Sequence, residues 1–131
     1  MSKEKMMRAT RESLLARAQK REENKTQYRE YACELTGEVI IIKTLPLSRI
    51  CEILDMREGD GVVAGLSLQK QIAYESVPLF KEKEVQEAFG CAEPYDVVTA
   101  YFDDNIEEIS KFSEFILSLY GLADVEESVK N

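Results

Sequence analysis

One segment of the chain, residues 28–43, is rich in residues that favour strands. Tyr28, Tyr31 and Cys33 precede the pair Thr36-Gly37, and the apolar run "EVIIIK" of residues 38–43 follows it. Aromatic and β-branched residues favour extended backbone, and glycine supplies the unusual backbone angle of a tight turn. This segment therefore predicts a β-hairpin. Helix formers dominate the other segments, so we expect an α+β fold: an N-terminal helix, the hairpin, and then a predominantly helical bundle.

The second strand of this hairpin is apolar on both faces. Side chains alternate along a strand, so Val39 and Ile41 lie on one face and Ile40 and Ile42 on the other. One face is expected to pack on the core. The other must be buried by a helix of the same chain or by another protein molecule. A strand enclosed in its own fold and a strand that binds a partner are both compatible with the pattern. We place the exposed face on Ile40 and Ile42 and take them as candidate partner-binding residues.

The N-terminal residues predict a helix with a thin apolar stripe. Residues 2–25 contain no Gly or Pro, and their apolar positions are sparse. This helix is either solvated and partly frayed on the domain surface, or it docks onto a partner and is fully ordered only in the complex. Leu14 and Leu15 are its candidate partner-binding residues. We divide the chain into this helix (1–25), a single α+β domain (26–122) and a polar tail (123–131).

The second half predicts several helices. Pro46 begins a short one, residues 62–76 form a mostly apolar one, and further helices are expected over 81–89, 94–102 and 105–120. The last has the clearest pattern, with apolar residues at 3-4-3 spacing. Asp104 and Glu107 resemble an acidic capping box at its start, and Gly121 is a natural stop. Its apolar face consists of Ile109, Phe112, Ile116 and Leu119.

Composition argues against an enzyme and against a bound cofactor. The chain contains no histidine, and its three cysteines, Cys33, Cys51 and Cys91, form no CxxC pair. A histidine base and a zinc site built on Cys and His spacing are thereby excluded. We expect no catalytic residues, no cofactor and no metal. The N-terminus lacks an apolar signal region, and no apolar run approaches the ~18 residues of a membrane span, which predicts a cytoplasmic protein.

Charge is unevenly distributed along the chain. Residues 1–50 carry 11 Lys/Arg against 7 Glu, whereas residues 51–131 carry 6 against 18 Asp/Glu. An acidic body disfavours nucleic acid, because binding requires cations that neutralise phosphates. We therefore expect no nucleic-acid partner for the main domain.

The stretch "VPLFKEKEVQEAFGCAEPYDVV", residues 77–98, admits three interpretations. A reactive Cys91 is disfavoured, because the neighbouring carboxylates of Glu87, Glu93 and Asp96 would raise its thiol pKa. A DNA-binding helix-turn-helix is disfavoured as well, because no Lys or Arg occurs between Lys83 and Lys111. A structural corner fits best.

In that corner, Gly90 occupies the left-handed position after a helix ending at Phe89. Cys91 then packs back toward Val85 as a small apolar residue, and Pro94 lies in the first turn of the next helix. The corner therefore joins two helices of the bundle.

The run "YESVPLFKEKEVQEAFGCAEPYDVVTAYFDDNIEEISKFSEFILSLYGL", with the earlier "YREYACELTGEVIIIKTLPLSRICEIL", resembles the XkdN-like phage tail assembly chaperones. Residues 77–98 resemble the family segment P-x-(L/F)-K-(D/N/E)-K-E-(L/V)-x-E-A-(Y/F)-G followed by EP. The closing "LYGL", residues 119–122, resembles the end of the family's last helix. The resemblance covers residues 26–122, and its motifs are structural rather than catalytic.

The resemblance implies a host-cytoplasmic protein that takes part in tail morphogenesis and is absent from the mature virion. It implies binding and solubilisation of the tape measure protein, and assistance to tail tube assembly around it. Further implied partners are the tail tube protein, a longer frameshifted form of the same protein and other copies of it. Two alternatives come from the residues: a small helix-turn-helix DNA-binding phage regulator, and an enzyme using Asp103 and Asp104. Those two aspartates are better explained as the start of a helix.

Overall fold

The computed structural model describes residues 6–25 and 27–122; residues 1–5, Thr26 and the predicted tail 123–131 lie outside the described residues. An N-terminal helix comes first, a two-stranded antiparallel hairpin follows, and helices make up the rest, which confirms the α+β prediction. In chain order the elements are α1 (Arg11–Glu23), β1 (Tyr28–Cys33), β2 (Glu38–Lys43), α2 (Leu47–Asp55), α3 (Val62–Ser76), a 3-10 helix (Pro78–Lys81), α4 (Lys83–Ala88), α5 (Asp96–Tyr101) and α6 (Ile106–Ser118).

The hairpin forms where the sequence predicts it. Gly37 adopts φ +72°, which glycine tolerates without steric cost, and its N–H donates to the Cys33 carbonyl at 2.9 Å. The strands pair with Tyr31 opposite Ile40. The Tyr31 ring contacts Phe112 of α6 edge-on, with 4.9 Å between the ring centroids. This contact docks one face of the hairpin on the helical body.

The prediction that Ile40 and Ile42 form an exposed strand face is wrong. Ile40 is 5% exposed and Ile42 is fully buried, whereas Val39 is 57% and Ile41 38% exposed. The pairing register decides this, because Ile40 shares a face with Tyr31, and that face packs on the core. The outward apolar face of β2 therefore consists of Val39 and Ile41.

The core lies between the hairpin and the helices. Helices α3 and α6 pack against each other, and Phe102, after α5, meets Phe112 of α6 with 5.4 Å between ring centroids. Burying each such side chain contributes about 1.5–3 kcal/mol. The fully buried large side chains are Ile42, Ile50, Ile53, Ile72, Val77, Val97, Val98, Phe102, Ile109, Phe112, Ile116 and Leu117.

A partly buried ion pair joins α2 to α3. Arg49 donates through Nε to Glu75 Oε1 at 2.7 Å and through Nη2 to Oε2 at 2.6 Å. These hydrogen bonds are the main reason that the pKa of Glu75 is lowered. Two parallel charge-assisted bonds fix both distance and orientation between the helices.

The glycine corner after α4 is confirmed, but α5 begins at Asp96, so Pro94 precedes that helix rather than lying in its first turn. Gly90 adopts φ +67°, its N–H donates to the Glu87 carbonyl, and the Cys91 N–H donates to the Gln86 carbonyl. These two bonds make a Schellman motif, which satisfies carbonyls at the helix end.

Helix α5 ends in the same motif, but with aspartate at the left-handed position. Asp103 and Asp104 adopt φ +52° and +58°, and the Asp104 N–H donates to the Thr99 carbonyl. Asp104 thus closes α5 rather than opening α6. The cap of α6 is Asn105, whose side chain accepts from the Glu108 N–H, so the predicted Asp104–Glu107 capping box is wrong.

Candidate partner-binding groove

A shallow apolar groove lies between β2, the 3-10 helix, α4 and α5. We call this concavity the apolar groove; its volume is about 250 Å³. Its lining residues come from β2 and from the much later segment 77–101. They are Glu38, Val39, Ile40, Val77, Leu79, Phe80, Val85, Phe89 and Tyr101.

Three large apolar side chains stand exposed around the apolar groove. Val39 of β2, Leu79 of the 3-10 helix and Phe89 at the end of α4 are each about half exposed. Single exposed apolar residues are ordinary, but three around one concavity are typical of an interaction site. Completing the burial of such side chains against a partner would contribute on the order of 1 kcal/mol each.

The floor of the apolar groove is rigidly supported. The rings of Phe80 and Tyr101 lie 5.4 Å apart, and Gln86 Nε2 donates to the Phe80 carbonyl at 2.8 Å. The Tyr101 hydroxyl donates to Glu38 Oε1 at 2.9 Å and lies 2.8 Å from the Thr36 hydroxyl. Burial, together with the neighbouring Glu38, raises the pKa of Tyr101 to about 12. The wall formed by the hairpin is thereby held in place against α5.

The groove is suited to binding rather than to chemistry. Among the described residues that line it, Glu38 is the only charged one. No group of three or more Cys, Asp or Glu side chains within residues 6–25 and 27–122 is placed to hold a metal ion. An apolar floor with one carboxylate at the edge can accept the apolar face of a helix and leave its polar face in water.

A second concavity lies between α2 and the start of α3, and it shares no lining residue with the apolar groove. Its volume is about 420 Å³, and Arg57, one of its lining residues, donates from Nε to the Gly59 carbonyl at 3.0 Å. Val63 at its edge is strongly exposed. Arg57 and Glu58 both line it, so this concavity is more polar than the apolar groove. Its exposed Val63 is therefore a suitable position for control substitutions.

Of the four predicted partner-binding residues, two are exposed and two are not. Leu14 and Leu15 lie on α1, and no residue of α1 is buried. Ile40 contributes to the floor of the apolar groove, and Ile42 lies in the core beneath the hairpin. The structure does not place α1 in the groove of its own chain, since no α1 residue lines it.

Sequence reasoning missed the rim residues Leu79 and Phe89. Each lies next to a helix boundary, where a local pattern predicts only a corner. The sequence does show a large apolar residue at each boundary, and an exposed apolar residue there can indicate a binding surface. The sequence pattern could not show that these two boundaries and β2 lie around one concavity.

The segment with Cys91 has no features of an active site. The Cys91 thiol pKa is raised, first by burial and second by the Asp96 carboxylate, so the direction agrees with the prediction while the main cause is burial. A raised pKa disfavours the thiolate that a nucleophile requires. In the same segment, α4 and α5 are six residues each, and Val97 and Val98 of α5 face the core.

Comparisons with known proteins support the fold. No protein-family model matches the chain, and no curated protein matches it. One solved structure, the crystal structure of the protein YqbN, a structural genomics target, superposes with a TM-score of 0.56 at 19% identity. The match covers 73% of this chain and 86% of that one. This likeness shows a shared fold.

Across the described residues, none of the helices combines the length and apolar character that crossing a membrane requires.

Proposed function

We propose that the protein is a non-enzymatic phage tail assembly chaperone that binds the tape measure protein. The observation that carries the proposal is the apolar groove rimmed by Val39, Leu79 and Phe89. The resemblance of residues 77–98 to the XkdN-like segment supports it from the sequence. Five of the groove residues lie within that segment: Val77, Leu79, Phe80, Val85 and Phe89.

The client chemistry that fits the groove is an amphipathic helix. Such a helix presents apolar residues at i, i+3, i+4 and i+7, and these side chains can be received by a concave surface formed by helix ends and one strand. The rim offers three apolar contacts, and the floor is aromatic, formed by the rings of Phe80 and Tyr101, which are tilted by 55° to each other. A long helical protein that awaits assembly exposes many segments of this kind.

In this proposal, the acidic helical body keeps the complex with the client soluble and attracts basic client segments. Among residues 27–122 there are 18 Asp/Glu against eight Lys/Arg. A strongly negative surface keeps a chaperone–client complex dispersed and raises the association rate with basic client segments. In this proposal the client is held reversibly in the host cytoplasm and passes to the tail tube protein as the tube assembles, so that the chaperone is absent from the virion.

Co-expression tests the proposal. We expect the tape measure protein to move from the insoluble to the soluble fraction when this chain is present, and to co-purify with it. Leu79→Asp should abolish both effects, whereas Val63→Asp, which introduces the same charge at the second concavity, should leave them unchanged. Unchanged client solubility with the wild-type chain would contradict the proposal.

A further inference from the structure

Among residues 6–25 and 27–122, no element buries any residue of helix α1. None of its 13 residues is buried, and Leu14 and Leu15 are 57% and 60% exposed. Thr10 and Ser13 form a reciprocal cap at its N-terminus, which stabilises the first turn. Even so, an isolated helix of about 12–15 residues is marginal in water. A helix of this length therefore gains most of its stability from a surface that covers it.

The exposed stripe of α1 has a defined chemistry. At 100° per residue, Leu14, Leu15 and Ala18 lie along one face, with Arg11 at its N-terminal end and Arg21 and Glu22 at its C-terminal end. Overall the described N-terminal residues 6–25 carry six Lys/Arg against three Glu. The stripe is thus a short apolar patch flanked by Arg11 and Arg21, and the one carboxylate on this face, Glu22, pairs with Lys25 at 3.9 Å.

The apolar groove is complementary to this stripe. It offers exposed Val39, Leu79 and Phe89 as apolar contacts, and its single charged lining residue is the carboxylate Glu38. The surrounding body, residues 27–122, has an excess of ten negative charges, with 18 Asp/Glu against eight Lys/Arg. Opposite charges on the two surfaces favour encounter and orientation.

We propose that α1 of one copy of this chain docks in the apolar groove of a second copy. The side chains of Leu14 and Leu15 contact the rim residues, and Arg11 or Arg21 lies toward Glu38 of the other copy. The exchange is reciprocal, because each copy carries one helix and one groove. It also places the helix of a second copy where a client helix would bind, so that client and second copy exclude each other.

Analytical ultracentrifugation of the full chain over a concentration series tests this self-association. Wild-type protein is expected to form a reversible oligomer. The helix variant L14D/L15D and the groove variant L79D should each raise the dissociation constant by at least about tenfold. The controls A16D, on the opposite side of α1, and V63D, at the second concavity, should associate like wild type. All four variants change exposed positions, and circular dichroism verifies their folding.

Mixing the two defective variants is the decisive step. L14D/L15D retains an intact groove and L79D retains an intact helix, so an equimolar mixture should recover hetero-association through one remaining helix–groove contact. A monomeric wild type, an oligomer insensitive to L14D/L15D and L79D, or a mixture that stays monomeric would overturn the proposal. The test uses this protein alone, so its failure is separate from a failure of the proposed client binding.

Discussion

The hydroxyl of Tyr101 donates a hydrogen bond to Glu38 Oε1 at 2.9 Å, and this bond joins the helical body to the hairpin. The two residues are 63 positions apart, and both line the apolar groove. The same hydroxyl lies 2.8 Å from Thr36 Oγ1 in the hairpin turn. One tyrosine therefore sets the position of the β2 wall relative to α5.

Replacing this tyrosine should loosen the hairpin without emptying the core. Tyr101→Phe keeps the ring against Phe80 and removes both hydroxyl contacts, so the free energy of unfolding at pH 7 should fall by about 0.5–1.5 kcal/mol. Urea unfolding measures the change. Thr36→Ala, which removes one of the two contacts, should cost less than Tyr101→Phe. A Tyr101→Phe chain as stable as wild type would show that the hydroxyl does not hold the hairpin.

The same hydroxyl predicts a pH dependence in alkali. The folded-state pKa of Tyr101, about 12, lies above its ordinary value of 10.0. Its contribution to stability is therefore complete below pH 10, and it is lost as the pH rises through the folded-state value. The pKa values of Tyr31 and Tyr120 are also raised by burial, so they add to the decline. Urea unfolding between pH 9 and 12 should show a shallower decline for Tyr101→Phe than for wild type, and equal slopes would contradict the assignment.

The ion pair between α2 and α3 predicts an acid dependence. Glu75→Gln removes the carboxylate that accepts two hydrogen bonds from Arg49, and should lower stability by about 1–2 kcal/mol at pH 7. Since the pKa of Glu75 is lowered from 4.5, its contribution is present above that pH and is lost as the pH falls through the lowered value. The difference between wild type and variant should therefore close in acid.

Glu52→Gln is the matched control for this pair. Glu52 also contacts Arg49, at 2.9 Å, but its side chain is 62% exposed. Exposed pairs contribute about 0–1 kcal/mol, so this variant should be close to wild type. Chemical denaturation measures the free energy of unfolding of both variants. If Glu52→Gln lost as much stability as Glu75→Gln, Glu75 would not be the more important partner of Arg49.

The left-handed aspartate after α5 predicts a stabilising substitution. Asp103 adopts φ +52°, where glycine has no steric cost, so Asp103→Gly should gain about 0.5–1 kcal/mol. Asp103→Asn controls for the lost charge and should gain less.

Gly90→Ala tests the opposite change, a side chain added at a left-handed position. A Cβ at Gly90 meets nothing within 4 Å, so the expected loss of about 1 kcal/mol in stability comes from backbone strain alone. Thermal unfolding measures all three, and a destabilised Asp103→Gly chain would contradict the account.

Local patterns predicted the helices well and the strand faces poorly. The 3-4-3 spacing of α6 places Ile109, Phe112 and Ile116 in the core, because a helix that is apolar on one side has one way to pack. In β2 both faces are apolar, so alternation alone cannot decide which face is buried. Pairing with Tyr31 decides it, and that pairing depends on the turn and on the contact of Tyr31 with α6.

The apolar groove was beyond local prediction for a different reason. Val39, Leu79 and Phe89 lie on separate elements, and they meet because Gly90 closes α4 and Tyr101 holds the hairpin against α5. Periodicity describes one element at a time. It predicted the corner at Gly90 correctly, but it could not show that the residues at this corner lie beside β2 and line the apolar groove.

The proposed function requires the apolar groove to bind a helix of the tape measure protein. Fluorescence anisotropy of a labelled helical segment of that client, titrated with purified wild-type, L79D and V63D chains, tests it most directly. Wild type and V63D should bind saturably with equal affinity, and folded L79D should bind at least about tenfold more weakly. Equal affinity of L79D and wild type, or no binding by wild type, would contradict it.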